Sequence, residues 1–185
     1  GLIAGNGRFP ILFAKGAQAN KISVIAVGIE GETSPEIKQY VEQLHWIGVA
    51  QIGKLIKIFK REQVTRAVMA GGLTKTNMFS SWRNLRFLPD LRTINLWYKN
   101  VKNRDDHSLL GAVADELLKD GIELQNSTLY VPQLLAQSGI LTKKQPSEKE
   151  MEDIHFGWPI GKEISRLGIG QCLVVKEKVV LAVEA

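Results

Sequence analysis

A continuous β-branched apolar run, "ISVIAVG" at residues 22–28, constrains the fold of this 185-residue chain more than any other feature. Such runs are typical of parallel strands that are covered on both faces of a sheet. Shorter apolar segments, in Leu2–Ala4, "LHWIGV" and "TRAVMAGGL", alternate with helix patterns. One helix has apolar residues at i, i+3, i+4 and i+7, namely Ile52, Leu55, Ile56 and Phe59. This β-α-β-α-β-α-β order predicts an α/β fold with a Rossmann-like parallel sheet.

The pattern continues to a domain boundary near residue 126. "SPEIKQYVEQ" predicts a helix that begins after Ser34, and "DDHSLLGAVADELLKDG" predicts another that ends at Gly121. The apolar face of the second helix is predicted to comprise Leu109, Leu110, Val113 and Leu117. "GIELQNSTLYVP" then supplies a last strand. We therefore predict a Rossmann-like N-terminal domain over residues 1–126.

The remaining residues, 130–185, predict the beginning of a second, smaller α/β domain. Pro146 and Ser147 open a polar helix, Pro159 is expected to interrupt it, and "IGKEISRLG" resumes it. Two strands follow, "GQCLVVKE" and "KVVLAVEA". Because the last strand ends without a terminator, we expect this domain to be incomplete.

Composition excludes several classes of protein. No apolar run approaches the ~20 residues of a membrane-spanning helix. The single cysteine, Cys172, excludes an internal disulfide and a multi-cysteine metal site, and favours a reducing cytoplasm. The three histidines (His45, His107 and His155) lack ligand-like spacing, which argues against a zinc enzyme.

The net charge of +5 comes from one segment, residues 78–104, which has six basic residues and one acid. The same segment contains Phe79, Trp82, Phe87, Trp97 and Tyr98. Basic and interfacial aromatic residues together favour an anionic membrane surface or an acyl chain as the partner. Core packing of the aromatic residues is the main alternative. Nucleic acid is less favoured, and we expect none to bind.

The opening "GLIAGNGRFP" contains half of a dinucleotide-binding fingerprint. Gly5 and Gly7 have the required spacing, but Pro10 stands where the third glycine belongs. Glu30 and Glu32 lie slightly too late to bind an adenosine ribose, so we expect no NAD. A phosphate at the N-terminus of the following helix is still favoured, with Arg8 facing the negative charge. The alternative is a tight turn without a ligand.

"AGGLTKT", at Ala70–Thr76, places a second pair of glycines directly after the fourth strand. Because the carboxyl ends of parallel strands share one edge, the two loops are expected to form one ligand crevice. Its predicted substrate-binding residues are Gly5, Asn6, Gly7, Arg8, Gly71, Gly72, Leu73 and Thr74. From sequence, Gly7→Val is expected to weaken binding and leave the folding transition nearly unchanged.

Five segments in this order resemble one enzyme family: "GLIAGNGRFP", "MAGGLTK", "DDHSLLGAVADELLKDGIEL", "GILTKKQPSEKEMEDI" and "RLGIGQCLVVKEKVVLAVEA". The chain is similar to the UDP-2,3-diacylglucosamine pyrophosphatases of the lipid A pathway in Gram-negative bacteria, of the two-domain type unrelated to the metallophosphoesterases. The resemblance implies hydrolysis of UDP-2,3-diacylglucosamine to UMP and the 1-phosphate called lipid X. It also implies Mg²⁺ or another divalent metal, a substrate site between two domains, and a cytoplasmic protein peripheral to the inner membrane. A homodimer is an open alternative to a monomer.

The resemblance places the essential aspartate of the family beyond Ala185, so we expect negligible hydrolysis by these 185 residues. The chain also has Gly168 where family members commonly have aspartate. Within the chain, Asp105 and Asp106 are the candidates for catalysis and for metal binding, although a helix cap is the favoured explanation of this pair. Gln171 is a candidate substrate contact, or a turn residue. A nucleotide-binding Rossmann-like module or dehydrogenase without this activity is the alternative function.

Overall fold

The computed structural model describes residues 1–74, 88–99 and 106–184 of the chain. They divide into two compact units, Gly1–Ala136 and Gln137–Ala185. The elements of the first unit are β1 (Leu2–Ala4), α1 (Phe9–Ala19), β2 (Ile25–Ile29), a 3₁₀ helix (Pro35–Tyr40), β3 (Gln43–Ile47), α2 (Ile52–Arg61), β4 (Arg66–Ala70), α3 (Leu91–Lys99), α4 (Asp106–Leu118), β5 (Glu123–Leu124) and a short 3₁₀ helix (Pro132–Leu134). Those of the second unit are α5 (Glu148–Arg166), β6 (Cys172–Lys176) and β7 (Val179–Glu184).

The first unit is built on a five-stranded sheet in the order β3-β2-β1-β4-β5. All four strand pairings are parallel, which confirms the predicted Rossmann-like α/β fold. The strand order changes direction between β1 and β4, since β1 is followed along the chain by β2 on one side while β4 lies on the other. In open parallel sheets, ligands bind at the carboxyl ends of strands beside such a switch point.

Successive side chains of each strand point to opposite faces of this sheet, and helices cover both faces. Leu2 and Ala4 of β1 pack in one buried cluster with residues of α1 and the first 3₁₀ helix. Ile3, between them, packs against a second cluster that contains residues of α2 and α4. The two layers of helices therefore cover β1 and β2 on both faces, as the β-branched run predicted.

The second unit consists of α5 and the antiparallel β6–β7 hairpin. Helix α5 begins with a capping box, in which Ser147 and Glu150 satisfy each other's backbone N–H groups. Asp153 on α5 holds the hairpin turn, because its two carboxylate oxygens accept from the backbone N–H groups of Glu177 and Lys178 at 2.9 and 2.7 Å. Gly157 allows close approach, since a Cβ there would lie 2.9 Å from Val175.

Three local predictions differ from the structure. Pro159 was expected to interrupt the helix, and this is wrong, because α5 runs continuously from Glu148 to Arg166 with Pro159 inside it. Close packing of α5 on β6 at Gly157 helps to hold the helix where proline cannot make its backbone hydrogen bond. "SPEIKQYVEQ" forms a 3₁₀ helix that ends at Tyr40 rather than a full α-helix. Leu110, predicted on the apolar face of α4, is exposed.

Candidate functional site

The two glycine loops lie side by side at the carboxyl edge of the sheet. The backbone N–H of Gly5 donates to Ala70 at 2.8 Å, and that of Asn6 donates to Gly72 at 2.8 Å. Gly72 returns a longer bond of 3.4 Å to Asn6, so Asn6 and Gly72 form an isolated antiparallel bridge. The prediction that both loops share one edge is confirmed.

Two glycines are required by the close approach of these loops. A Cβ on Gly5 would lie 2.3 Å from the carbonyl oxygen of Gly72. Gly71 has a φ of +86°, and a Cβ there would lie 2.4 Å from the carbonyl oxygen of Asn6. Neither position tolerates a side chain without movement of the backbone, so both glycines are explained by the turn geometry alone.

Gly7 is in a different situation. Its φ is +83°, but a Cβ at this position would meet no heavy atom within 4 Å. The residue is exposed, as is its neighbour Arg8. The backbone conformation therefore favours glycine, while the space beside Gly7 is open to solvent or to a ligand.

The N-terminus of α1 presents unpaired donors to this open space. Helix α1 starts at Phe9, with Arg8 at the N-cap position and no side-chain cap. Within the part of the chain that the structure describes, the backbone N–H groups of Gly7, Arg8 and Phe9 have no hydrogen-bond acceptor, and the Arg8 guanidinium has no ion pair. Free N–H groups, the positive end of the helix dipole and a nearby guanidinium together favour an anion.

A polar network ties the loops that follow β1, β2 and β4. The Asn6 side-chain amide donates to Glu32 at 2.7 Å and to Thr74 at 3.0 Å. The Thr74 hydroxyl donates to the same Glu32 oxygen at 3.0 Å. Asn6 and Thr74 were predicted site residues, and Leu73 lies exposed between Gly72 and Thr74. Sequence reasoning missed the role of Glu32 as the acceptor that holds the two loops, because Glu32 was considered only as a ribose ligand.

Thr33 is a second residue that the sequence did not single out. It is buried, and its hydroxyl accepts from the backbone N–H of Ile29 at 2.8 Å and donates to the carbonyl of Ala4. These two bonds join the carboxyl ends of β1 and β2. The sequence does show a polar residue soon after a buried strand, but it does not show which groups this residue hydrogen-bonds.

The described residues do not make up a resident metal site. Among residues 1–74, 88–99 and 106–184, no three His, Cys, Asp or Glu side chains lie close enough to hold an ion. Asp105 lies outside the described residues. Asp106 is the first residue of α4, and its side chain also lies outside them. In the glycine-loop site, the Glu32 oxygen already accepts two hydrogen bonds.

Gln171 belongs to the second unit. It is exposed immediately before β6 and lines a groove of about 960 Å³ within that unit, together with Lys144, Asp153 and Trp158. Of the basic and aromatic segment, residues 78–87 and 100–104 lie outside the described residues, and 88–99 contain α3. No helix in the described parts of the chain is both long enough and apolar enough to cross a bilayer.

Comparison with known proteins gives two matches that together cover nearly the whole chain. Residues 1–134 match the family described as the LpxI N-terminal domain, and residues 137–185 match the LpxI C-terminal domain. A curated relative is the UDP-2,3-diacylglucosamine pyrophosphatase LpxI of Caulobacter vibrioides. It is 29% identical over 188 aligned residues, which cover 100% of this chain and 64% of the relative. The chain thus spans less than two thirds of the length of that relative.

Proposed function

The chain belongs to the LpxI family, and on that premise we propose that it serves the hydrolysis of UDP-2,3-diacylglucosamine in lipid A biosynthesis. In this reaction water adds across the phosphoanhydride bond, and the products are UMP and lipid X. The similarity of the whole chain to 64% of the Caulobacter enzyme supports the substrate class. The structural observation that carries the proposal is the pairing of the β1 and β4 loops beside the free N-terminus of α1.

The β1 loop is proposed to bind a phosphate of the substrate. A diphosphate resists hydrolysis because its negative charges repel a nucleophile, so the protein must neutralise that charge. The unpaired N–H groups of Gly7, Arg8 and Phe9 are suited to donate to phosphate oxygens. The guanidinium of Arg8 adds a charge-assisted contact. Because Gly7 has no side chain, the ligand can reach these N–H groups.

Glu32 is proposed to act through the loops rather than on the ligand. Its carboxylate accepts from both Asn6 and Thr74, which fixes the two loops relative to each other. Its own negative charge disfavours a phosphate in direct contact, so we place the anion on the Arg8 side of Asn6. Preorganised donors of this kind need little rearrangement when the substrate binds.

A divalent metal such as Mg²⁺ is proposed from the family resemblance. When bound, such an ion would supply charge neutralisation and orient water through oxygen ligands. The described residues contain no cluster of ligands that fits such an ion. Asp105 and Asp106 remain the candidate carboxylates. We further propose that the protein is cytoplasmic and peripheral to the inner membrane, where its lipid-linked substrate lies.

The test is a calorimetric titration of the 185-residue chain with lipid X, UMP and NAD. We expect lipid X to bind and NAD to give no signal, because the fingerprint for a dinucleotide is incomplete. The complete gene product should release UMP from UDP-2,3-diacylglucosamine in the presence of Mg²⁺. Binding of NAD in preference to lipid X, or a complete gene product that releases no UMP, would refute the proposal.

A further inference from the structure

Helix α3 exposes an apolar stripe on the surface of the first unit. Leu91, Ile94 and Tyr98 recur at i, i+3 and i+7, which places them on one side of the helix. Their exposed fractions are 86%, 41% and 81%. We call these three residues the α3 stripe. A soluble surface helix normally turns such a stripe inward, so its exposure calls for a partner.

The opposite side of α3 fixes the rotation of the helix. Leu96 is only 3% exposed. Thr93 accepts from the backbone N–H of Ile52 at 3.0 Å, at the start of α2. Asp90 accepts from the backbone N–H groups of Thr93 at 2.8 Å and of Lys54 at 3.1 Å. One carboxylate thus anchors the first turns of both helices.

Arg92 adds a second anchor on the same inward side. Its guanidinium donates to Glu116 at 2.6 Å and pairs with Asp120, both near the end of α4. If α3 turned to bury its stripe, it would break these ion pairs together with the Asp90 and Thr93 contacts. The stripe therefore faces outward, because the residues on the other side of α3 already make the contacts with α2 and α4.

Exposed lysines lie on α2, the helix that is joined to α3 by the Asp90 and Thr93 contacts. Lys54 and Lys57 on α2 are exposed and form no ion pair within the described residues. Lys54 adjoins the start of α3 through Asp90. The nearby acids Glu116 and Asp120 are neutralised by Arg92, and also by Lys119 and Lys60. Asp90, just before α3, and the exposed Asp115 of α4 also lie on these elements, so the basic excess comes from the segment 78–104 that contains α3, which has six basic residues and one acid.

We propose that the α3 stripe and the lysines of α2 dock the protein on an anionic lipid bilayer. Aliphatic and aromatic side chains enter the interfacial layer, while flanking lysines contact acidic headgroups. A second copy of this chain is a poorer occupant, because pairing two stripes would bring the positively charged lysines of the two copies close together. The bilayer satisfies both the apolar stripe and its basic border.

This inference extends the proposed function, since a lipid-linked substrate must be drawn from a bilayer. It is nevertheless tested without substrate. Vesicle binding and UMP release are separate measurements, so failure of one is distinguishable from failure of the other. The surface is also built from residues that take no part in the glycine-loop site.

The experiment is flotation of the 185-residue chain with vesicles of phosphatidylcholine, alone or mixed with phosphatidylglycerol. The stripe variant is Leu91→Gln/Tyr98→Gln. Its matched control is Ile22→Gln/Leu129→Gln, which changes two apolar residues of 42% and 50% exposure. A charge variant, Lys54→Gln/Lys57→Gln, is compared with Lys21→Gln/Lys38→Gln, since all four lysines are exposed. Thermal unfolding of each variant establishes that it is folded.

We expect the wild type to float with the mixed vesicles and to be released by salt. The stripe variant should bind at least tenfold more weakly, and the charge variant should lose its preference for phosphatidylglycerol. Both controls should behave as the wild type. The proposal is overturned if the wild type binds neither vesicle, or if stripe and control variants bind equally. It is also overturned if the stripe variant instead abolishes a dimer seen by light scattering.

Discussion

Gly7→Ala separates the role of Gly7 in the turn from its role in a site. Gly7 has a φ of +83° and no heavy atom within 4 Å of a Cβ position. Gly121, after α4, is a matched control with a φ of +77° and equally open surroundings. Gly121 precedes β5 and therefore lies at the amino edge of the sheet, away from the glycine loops. The two substitutions impose the same backbone strain at opposite edges.

The strain sets the expected loss of stability. An L-residue in the left-handed region costs about 1–2 kcal/mol. Because no clash adds to this cost at either position, both variants should lose stability by this same amount. This strain argues against the sequence-based expectation that a Gly7 substitution leaves folding nearly unchanged, and the unfolding measurement tests it. A β-branched valine would be a poorer probe still, since its side chain is less compatible with positive φ.

The binding of lipid X should distinguish the variants. If the β1 loop binds a phosphate as proposed, a methyl group on Gly7 blocks its approach to the N–H groups of the loop, so we expect affinity to fall at least tenfold, about 1.4 kcal/mol. Gly121→Ala should bind as the wild type does. Calorimetric titration and urea unfolding of the complete gene product measure the two quantities. Normal affinity in Gly7→Ala, or the same loss in both variants, would refute the reasoning.

Two further predictions concern stability. Arg92→Met should cost about 1–3 kcal/mol at neutral pH, because it removes charged hydrogen bonds from Glu116 and Asp120. The bond from Lys119, and then that from Arg92, lowers the pKa of Glu116 below 4.5, and the bonds from Lys60 and Arg92 lower the pKa of Asp120 below 3.8. The stabilisation by Arg92 is therefore complete at pH values above the ordinary pKa values of the two carboxyl groups, and it is lost as the pH falls through their lowered pKa values. Wild type and variant should consequently have the same stability in acid unfolding. A constant difference at all pH values would contradict the assignment. Pro159→Ala restores a donor inside α5 and should stabilise the second unit by about 1–3 kcal/mol in urea unfolding followed by circular dichroism. A destabilised variant would show that α5 depends on the proline.

The sheet and its loops could be predicted because the responsible signals are local. Apolar runs such as Ile25–Ile29 identify parallel strands, and parallel strands place their carboxyl ends at one edge. The positions of the Gly5 and Gly71 loops follow from that rule. The hydrogen bonds from Asn6 and Thr74 to Glu32 could not be predicted, because they join residues far apart in sequence whose side chains could pair in many ways.

The outward orientation of the α3 stripe could not be predicted from the sequence either. Composition revealed that residues 78–104 are basic and aromatic, yet it left core packing and membrane contact as alternatives. The orientation of α3 depends on which of its sides is anchored, and that is set by the contacts of Asp90 and Arg92 with α2 and α4. Helical spacing gives the stripe, whereas only tertiary contacts show that it faces outward.

Glycines of one motif can be present for different physical reasons, and the structure separates them. Gly5 is fixed by the carbonyl of Gly72, which a Cβ would approach to 2.3 Å, so any substitution there disrupts the pairing of β1 and β4 loops. A Cβ on Gly7 would meet no such atom, so we expect its substitution to leave that pairing intact. Loss of binding in a Gly5 variant would therefore report a damaged fold as readily as a lost ligand contact. Gly7, with its Gly121 control, is the position at which an effect on affinity can be assigned to the ligand.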